Sequence, residues 1–350
     1  MIQKWHQELG PRLQGSRDLD SDKVQAPGAV RMPDGRLRLF YTAVGPGKPF
    51  PACQGYILSA ISEDGLLFRT EPGIRLQPQP DLVHMSLRLL APTVVACGEG
   101  RWRMYFEARG PADRPTVICS AVSPDLIHWH YEDGIRLQGR DRLGAPRFLR
   151  LPDGRGRLYC CASQYGTGGR TRSQRLSQGV VSAITSDGLS FEFEPGDRLL
   201  SGQTEYDAVG ITAAEVIPPQ SAGGKWTMIY SAWQDVPPGT AVPVHPSQDP
   251  DAVASGLSEN FAAASIASDM AGFRSRIFAA SSSDGLQWER GGCLIEGAGY
   301  GKEGLDAVHA EDTSLVQIGP GRYRMYYAAC DKDGNWRIAS AVSEGMDEDR

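Results

Sequence analysis

The chain lacks the features that mark membrane, secreted and nucleic-acid-binding proteins. No apolar stretch reaches membrane-spanning length, and the N-terminal residues contain no apolar segment of the kind that signal peptides carry. Basic residues form no run and the formal net charge is −6, which disfavours a nucleic-acid partner. The seven cysteines are odd in number and lack metal-ligand spacing, so a disulfide framework is not expected. We therefore expect a cytoplasmic protein with no membrane and no nucleic-acid partner.

Glycine and proline are abundant, with 41 and 24 residues, as expected for many short strands joined by turns. The strongest pattern is an internal repeat built on the phrase Ser-Ala-Ile-Ser-x-Asp-Gly-Leu and its variants. Its aspartates are Asp64, Asp125, Asp187 and Asp284. Their spacings of 61, 62 and 97 residues indicate a period of about 61, with an insertion of about 35 residues in the fourth copy. Asp-Gly is turn chemistry, so each phrase predicts two strands joined by a tight turn.

Each repeat contains four predicted strands. A strand of the Gly-Arg-Trp-Arg-Met-Tyr type precedes the phrase, a short apolar strand precedes that one, and a fourth strand follows the turn. The fifth repeat ends before its fourth strand, but residues 5–14 align with 68–77, the fourth strand of the first repeat. This arrangement predicts an all-β fold, a five-bladed β-propeller of four-stranded blades, closed by the N-terminal strand completing the last blade. An open β-array or a pair of sandwiches is the alternative, and it gives no reason for the permuted strand.

We expect residues 1–350 to form a single domain. Its segments are the closing strand 1–16 and the blades 17–77, 78–138, 139–200, 201–297 and 298–350. The fourth blade contains the insertion 234–272, which is rich in Pro, Ala and Ser. By position the insertion overhangs the mouth of the channel, where it would act as a lid or as the arm of a homodimer. A disordered loop is the alternative interpretation.

The first strands of the blades line the central channel of a propeller, so polar residues near their starts, and after the second strands, are the candidate site. The predicted catalytic residues are Glu311, Asp312, Glu215 and Asp207. The predicted substrate-binding residues are His309, Asp306, Arg88, Glu107, Arg109, Arg147 and Trp233. Carboxylates from neighbouring blades can form an acid/base pair for glycoside chemistry. Two other interpretations stay open: a structural Ca²⁺ in the channel, held by such oxygens, or solvated loop carboxylates without a site role.

Three motifs extend over nearly the whole chain: the Ser-x-Asp-Gly-Leu-x-Phe/Trp turns, the Ala-Pro-Thr-Val sequence at 91–94, and the Gly-Arg-Trp-Arg-Met-Tyr strands. With these motifs the chain resembles the five-bladed propeller glycoside hydrolases, which include the arabinanase/β-xylosidase, invertase/levansucrase and mannoside-phosphorylase groups. The resemblance implies catalysis by three carboxylates at first-strand starts, one of them in an Asp-Pro of the first blade. This chain has Ala-Pro at 26–27 instead, and only Glu311 and Asp312 keep acids at that level. The catalytic set of the family is therefore not carried over.

Three kinds of function remain open after this comparison. The first is a glycosidase-like or glycoside-phosphorylase-like protein that acts on or binds a small carbohydrate or sugar phosphate in the channel. In that case an arginine such as Arg88, Arg109 or Arg147 would hold an anionic group. The second is a non-catalytic binding or structural propeller. The third is a non-glycosidase enzyme, a lyase, cyclase or isomerase, that reuses the channel.

Overall fold

A computed structural model describes most of the chain. The described residues are 4–21, 23–44, 55–111, 114–139, 142–163, 178–208, 210–221, 223–235, 273–299 and 301–345. Their regular structure is all β, apart from two short 3₁₀ turns at Val83–Met85 and Glu205–Asp207. The part of the insertion from 236 to 272 lies outside the described residues, so its predicted role as a lid or dimer arm stays a prediction.

The strands follow one another along the chain in five antiparallel units. Unit 1 contains β3 Lys23–Arg31, β4 Leu37–Val44, β5 Gly55–Ser62 and β6 Arg69–Thr70. Unit 2 contains β7 Arg88–Gly98, β8 Arg101–Arg109, β9 Val117–Ser123 and β10 His130–Tyr131. Unit 3 contains β11 Arg142–Arg150, β12 Gly156–Ser163, β13 Gln178–Thr185, β14 Glu192–Phe193 and β15 Leu199–Leu200. Unit 4 contains β16 Gly210–Ile217, β17 Trp226–Asp235, β18 Phe273–Ser282 and β19 Glu289–Ile295. Unit 5 contains β20 His309–Gly319, β21 Arg322–Cys330 and β22 Trp336–Ser343.

The N-terminal segment pairs with the last strand of unit 5. The strands β1 Trp5–Gln7 and β2 Leu13–Gln14 both pair antiparallel with β22. Glu8, between them, accepts hydrogen bonds from Arg324 of β21 and from the hydroxyl of Ser340 in β22. The same Arg-Glu-Ser arrangement recurs in unit 1, where Glu71 binds Arg38 and Ser59. The edge of β22 is therefore covered by backbone pairing and fixed by a half-buried charge pair.

The first strands of the units contact one another in cyclic order. β3 contacts β7, β7 contacts β11, β11 contacts β16, β16 contacts β20, and β20 contacts β3 again. Hydrogen bonds also join the last unit to the first: the Ser314 hydroxyl accepts from the Ala29 amide at 3.0 Å, and the Tyr326 hydroxyl donates to the Gly65 carbonyl at 2.8 Å. We call these five strands the innermost strands, because each lies against its counterparts in the two neighbouring units.

The Asp-Gly phrases form the tight turns that the sequence predicts. In the first of them Gly65 has a φ of +74°, which glycine adopts without steric cost. The Asp64 carboxylate accepts hydrogen bonds from the amides of Leu66 and Leu67, and these bonds lower its pKa. Within the described residues, no helix is long and apolar enough to cross a membrane.

Candidate functional site

Every innermost strand carries a β-bulge at the same level, and this bulge defines the centre of the candidate site. The pairing register shifts between Gln25 and Gly28 in β3, and at the equivalent place in β7, β11, β16 and β20. One non-glycine residue in each bulge has a positive φ, between +46° and +57°. These residues are Ala26, Ala91, Ala145, Ala213 and Asp312. We call them the bulge ring; its four alanines pack together in one buried cluster.

Asp312 is the single ionisable member of the bulge ring. Its residue is only 7% exposed, and its backbone amide donates a hydrogen bond to the Ser231 hydroxyl at 3.0 Å. Burial and the negative charge of Glu311 raise the pKa of Asp312 to about 7, although the cation of Arg147 opposes them. A carboxyl group of this kind holds and releases a proton near neutral pH, which is the property that a general acid or base needs.

Glu311 precedes Asp312 and is fixed by donors from two different units. Its Oε1 accepts from the Gln25 amide nitrogen at 3.0 Å, and its Oε2 accepts from the Trp233 indole nitrogen at 2.8 Å. Each donor aims an N–H at an oxygen of a side chain that is only 5% exposed, and hydrogen bonds of this kind stabilise a carboxylate anion. His309 lies nearby, with its Nδ1 3.9 Å from Glu311 Oε2 and 3.0 Å from the Ser275 hydroxyl.

An aromatic and basic group surrounds His309 at the start of β20. Its ring stacks on Trp336, with the ring centroids 5.3 Å apart and an interplanar angle of 10°. Lys23, at the start of β3, places its Nζ 4.4 Å from the centroid of the same indole. Since Lys23 and His309 are 6% and 3% exposed, this cation–aromatic group lies inside the molecule, beside Glu311.

Glu107 supplies a further carboxylate from the second strand of unit 2. Its Oε2 accepts from the backbone amide of Ala145, a member of the bulge ring, at 3.2 Å, and its Oε1 pairs with Arg109. Gly144 makes room for it, because a Cβ on that residue would lie 2.6 Å from Glu107 Oε2. Glu107 also contributes to the raised pKa of Asp312, so the two carboxyl groups are electrostatically coupled.

Arg147 lies two residues beyond the bulge ring and spans the inside of the ring of strands. Its guanidinium donates to the carbonyls of Thr313 at 3.0 Å, Pro146 at 2.9 Å and Pro27 at 3.2 Å, which belong to three different units. Glu215 of a fourth unit pairs with Arg147 Nε at 3.1 Å, and burial raises the pKa of Glu215 to about 7. Because the Arg147 side chain is 3% exposed, it closes the interior of the ring at this level.

Three predicted site residues lie in surroundings that differ from those of the acidic pair: Arg88, Asp207 and Asp306. Arg88 is 2% exposed at the start of β7, where it pairs with Gly55 through a parallel bridge. Asp207 accepts from the amides of Gln203 and Thr204 and, with its second oxygen, from Arg290 of β19, the last strand of unit 4.

Asp306 has a comparable environment in unit 5. It accepts from the Gln7 amide at 2.6 Å and from the Tyr327 hydroxyl at 3.1 Å, while Asp20 of unit 1 binds Arg17 and Tyr41 in the same manner. The structure thus brings together Glu311, Asp312, Trp233 and His309, and places Glu107, Arg147 and Glu215 around them. It engages Asp207 and Asp306 in bonds that hold loops against their own units, so their predicted site roles stay predictions.

Sequence reasoning counted Gln25 only among the polar residues that enter the first strands and did not name Ser231, although both contact the acidic pair. Each belongs to a set of equivalent positions: Gln25 directly precedes the bulge in β3, as Glu311 does in β20, and Ser231 pairs with Thr212 at that level in unit 4. Alignment of the five repeats around the Ala-Pro sequences would have marked both. Among the described residues no group of three or more His, Cys, Asp or Glu side chains is arranged to hold a metal ion. The Ca²⁺ site stays a prediction.

No family model matches the chain, and no curated protein matches it. Solved structures do match over nearly its whole length. One is a glycoside hydrolase, with a TM-score of 0.66, 15% sequence identity, and coverage of 98% of this chain and 94% of that one. A second is the β-1,2-mannobiose phosphorylase from Listeria innocua, with a TM-score of 0.63, 13% identity and coverage of 97% and 96%. A third is a thermostable family-43 glycoside hydrolase, with a TM-score of 0.61, 12% identity and coverage of 93% and 90%.

These matches confirm the resemblance to the glycoside hydrolase and mannoside phosphorylase group at the level of the fold. At 12 to 15% identity they say nothing about activity, since one fold supports many functions. Function therefore has to be argued from the residues of the bulge ring and their partners.

Proposed function

We propose that this chain is a closed five-bladed propeller that binds a small carbohydrate or sugar phosphate at the bulge ring and acts on it as a glycosidase-like or phosphorylase-like enzyme. The cyclic contacts of the innermost strands and the pairing of β1 with β22 support the five-bladed closure. In this arrangement the five units are the blades, residues 1–350 form one domain, and the bulge ring surrounds the channel axis.

One observation carries the enzymatic proposal. Among five equivalent strained positions, four hold alanine and one holds an acid, Asp312, which is buried and next to a second acid. A carboxylate in such a place costs stability, because both burial and the neighbouring charge oppose its ionisation. Groups of this kind are concentrated at functional sites, where the unfavourable environment is part of the chemistry.

The environments of the two acids suggest different roles. Asp312, with a pKa raised to about 7, is suited to give a proton to the oxygen of a leaving group. Glu311, which accepts two N–H hydrogen bonds, is suited to stay ionised and to act as base or as the stabiliser of positive charge on the sugar. Arg147 closes the interior beyond them, so a ligand would approach the pair from the side of the ring where Glu311, His309 and Trp233 lie.

A second candidate is a propeller that binds a ligand without turnover. It is favoured by the four alanines of the bulge ring, since the resemblance implies carboxylates at such strand starts. The two candidates share a binding site and differ in turnover, so one set of variants tests both.

The experiment is thermal unfolding against sugars, sugar phosphates and divalent ions at millimolar concentration, followed by a turnover assay on any sugar that binds. A ligand at about 100 times its Kd stabilises the protein by roughly 2.7 kcal/mol. We expect a shift with one sugar class, reduced by Glu311→Gln, and turnover lost in Asp312→Asn. Asp153→Asn, at an exposed pair with Arg155, is the matched control and should behave like the unaltered protein. Binding without turnover would select the second candidate, and a flat response to every sugar would refute the carbohydrate-active candidate.

A further inference from the structure

Glu311 accepts hydrogen bonds from opposite neighbours in the ring of strands. Gln25 belongs to β3 in unit 1, whereas Trp233 belongs to β17 in unit 4, and Glu311 itself belongs to unit 5 between them. The two donors act on different oxygens of the same carboxylate. Rotation about the last side-chain bond of Glu311 would break both bonds together, so the plane of the carboxylate is fixed.

Two positions are relevant to this arrangement: Gly210, which pairs with Trp233, and Gln25 itself. Gly210 pairs with Trp233, and a Cβ there would lie 2.1 Å from the Gln178 side-chain oxygen and 3.4 Å from the Trp233 ring. Gln25 occupies the position before the bulge in β3, which corresponds to Leu90 in β7, Gly144 in β11 and Thr212 in β16. Leu90 and Gly144 carry no side-chain hydrogen-bond donor, whereas the side chain of Gln25 donates to Glu311.

We infer that Gln25 and Trp233 are positioning residues, which hold Glu311 ionised and in one orientation beside Asp312; the inference rests on the proposed function of that acidic pair. This role requires no contact between either residue and the substrate, and it is separate from the substrate-binding role that the sequence predicts for Trp233. Their effect is electrostatic and geometric: two N–H groups stabilise the negative form of Glu311, so the proton of the pair resides on Asp312. An acid and a base are thereby distinguished within two adjacent residues.

The test follows the titration of Glu311 directly and needs no substrate. Glutamate labelled with ¹³C at the carboxyl carbon is incorporated, and the Glu311 signal is identified as the one missing in Glu311→Gln. Trp233→Phe keeps the ring and removes the N–H donor, and Gln25→Leu keeps the approximate size and removes the amide. We expect each variant to raise the titration midpoint of Glu311 by about one pH unit, since the loss of one charge-assisted hydrogen bond is of that order.

Two matched variants separate positioning from general destabilisation. Trp288→Phe removes an indole N–H bonded to the Gly285 carbonyl in the Asp-Gly turn of unit 4, and Gln7→Leu removes an amide bonded to the carboxylate of Asp306. Both should leave the Glu311 midpoint unchanged, even if they lower the melting temperature. The inference is overturned if Trp233→Phe and Gln25→Leu fold normally without moving the midpoint, or if the control variants move it equally.

The titration also distinguishes the failure of this inference from the failure of the proposed function. A protein that binds no sugar refutes the function, whereas the response of the Glu311 midpoint still decides whether the two donors hold its charge. If a substrate is found, the positioning role predicts that Trp233→Phe moves the pH profile of kcat, with a smaller change in KM. If Gln25→Leu fails to fold, Trp233→Phe alone decides the question.

Discussion

Replacing Asp312 by alanine should make the protein more stable at neutral and alkaline pH. Alanine already occupies the other four positions of the bulge ring at φ angles of +46° to +51°, so the backbone accepts it there. The substitution removes a buried carboxylate whose pKa is raised from 3.8 to about 7. The variant no longer buries, on folding, a carboxyl group that is ionised in the unfolded chain.

The sign and size follow from proton linkage. The raised pKa means that the folded state binds the Asp312 proton more tightly than the unfolded state does, so the carboxyl group costs nothing below pH 3.8. The cost grows as the pH rises from 3.8 to about 7 and is constant above that range. A rise of the pKa from 3.8 to about 7 corresponds to roughly 4 kcal/mol. We therefore expect Asp312→Ala to raise the free energy of unfolding by about that amount at pH 8 and to change it little at pH 4.

Urea denaturation at several pH values between 4 and 8 measures this difference. The control is Asp207→Ala, which removes a buried carboxylate that accepts from two backbone amides and from Arg290. That variant should lose about 2 to 3 kcal/mol, because its partners are left without an acceptor. The reasoning is refuted if Asp312→Ala destabilises the protein at pH 8 as Asp207→Ala does, or if its effect does not depend on pH.

Three further predictions concern the surroundings of the acidic pair and the closure of the ring. Arg147→Met should lower the free energy of unfolding by about 3 to 5 kcal/mol at pH 8, because it leaves the buried Glu215 carboxylate without its cation. The loss should be smaller at pH 5, where Glu215 carries its proton. Denaturation at the two pH values measures the difference, and an equal loss at both would contradict the prediction. Gly144→Ala should lower the free energy of unfolding by about 1 to 3 kcal/mol in the same assay, because the new Cβ would displace Glu107. It should also weaken any sugar-induced thermal shift. Unchanged stability and an unchanged shift would contradict the close contact. Deletion of residues 1–16 should lower the melting temperature, since the edge of β22 becomes exposed. The exposed edge should also cause the protein molecules to associate, which light scattering detects. A stable monomer would contradict the closing role of β1.

The repeat made the strand order and the pairing of the N-terminal segment predictable from the sequence. Turn chemistry at Asp64 and its counterparts is local, because each carboxylate binds amides two and three residues further along the chain. The last repeat lacks a fourth strand and the N-terminus has an additional one, so the sequence predicts that the two segments pair. In the structure β1 pairs with β22. Patterns that depend on short sequence separations, or on the count of repeats, were therefore sufficient for the all-β class and the order of the strands.

The candidate site was only partly predictable, because its contacts join residues far apart in the chain. The acids at 311 and 312 were found since they depart from the Ala-Pro pattern of the other repeats. The common pattern around Asp207 and Asp306 suggested two further site carboxylates; in the structure each binds groups of its own unit, and their site roles stay predictions. Sequence alone does not tell whether a loop carboxylate faces a channel or its own backbone, because both environments accept the same residue types.

Because the five units repeat the same strands, the residues at equivalent positions of the units can be compared with one another. Each unit presents a bulge with a similar positive φ to the centre of the ring, and alanine at four of these positions shows that the backbone accepts it there. A residue chosen only for stability would be alanine at the fifth position as well, because a buried acid with a raised pKa destabilises the folded state near neutral pH. The presence of Asp312, together with the donors that fix its neighbour Glu311, therefore indicates selection for something other than stability. Proton transfer to a bound ligand is the role that we propose for these two residues.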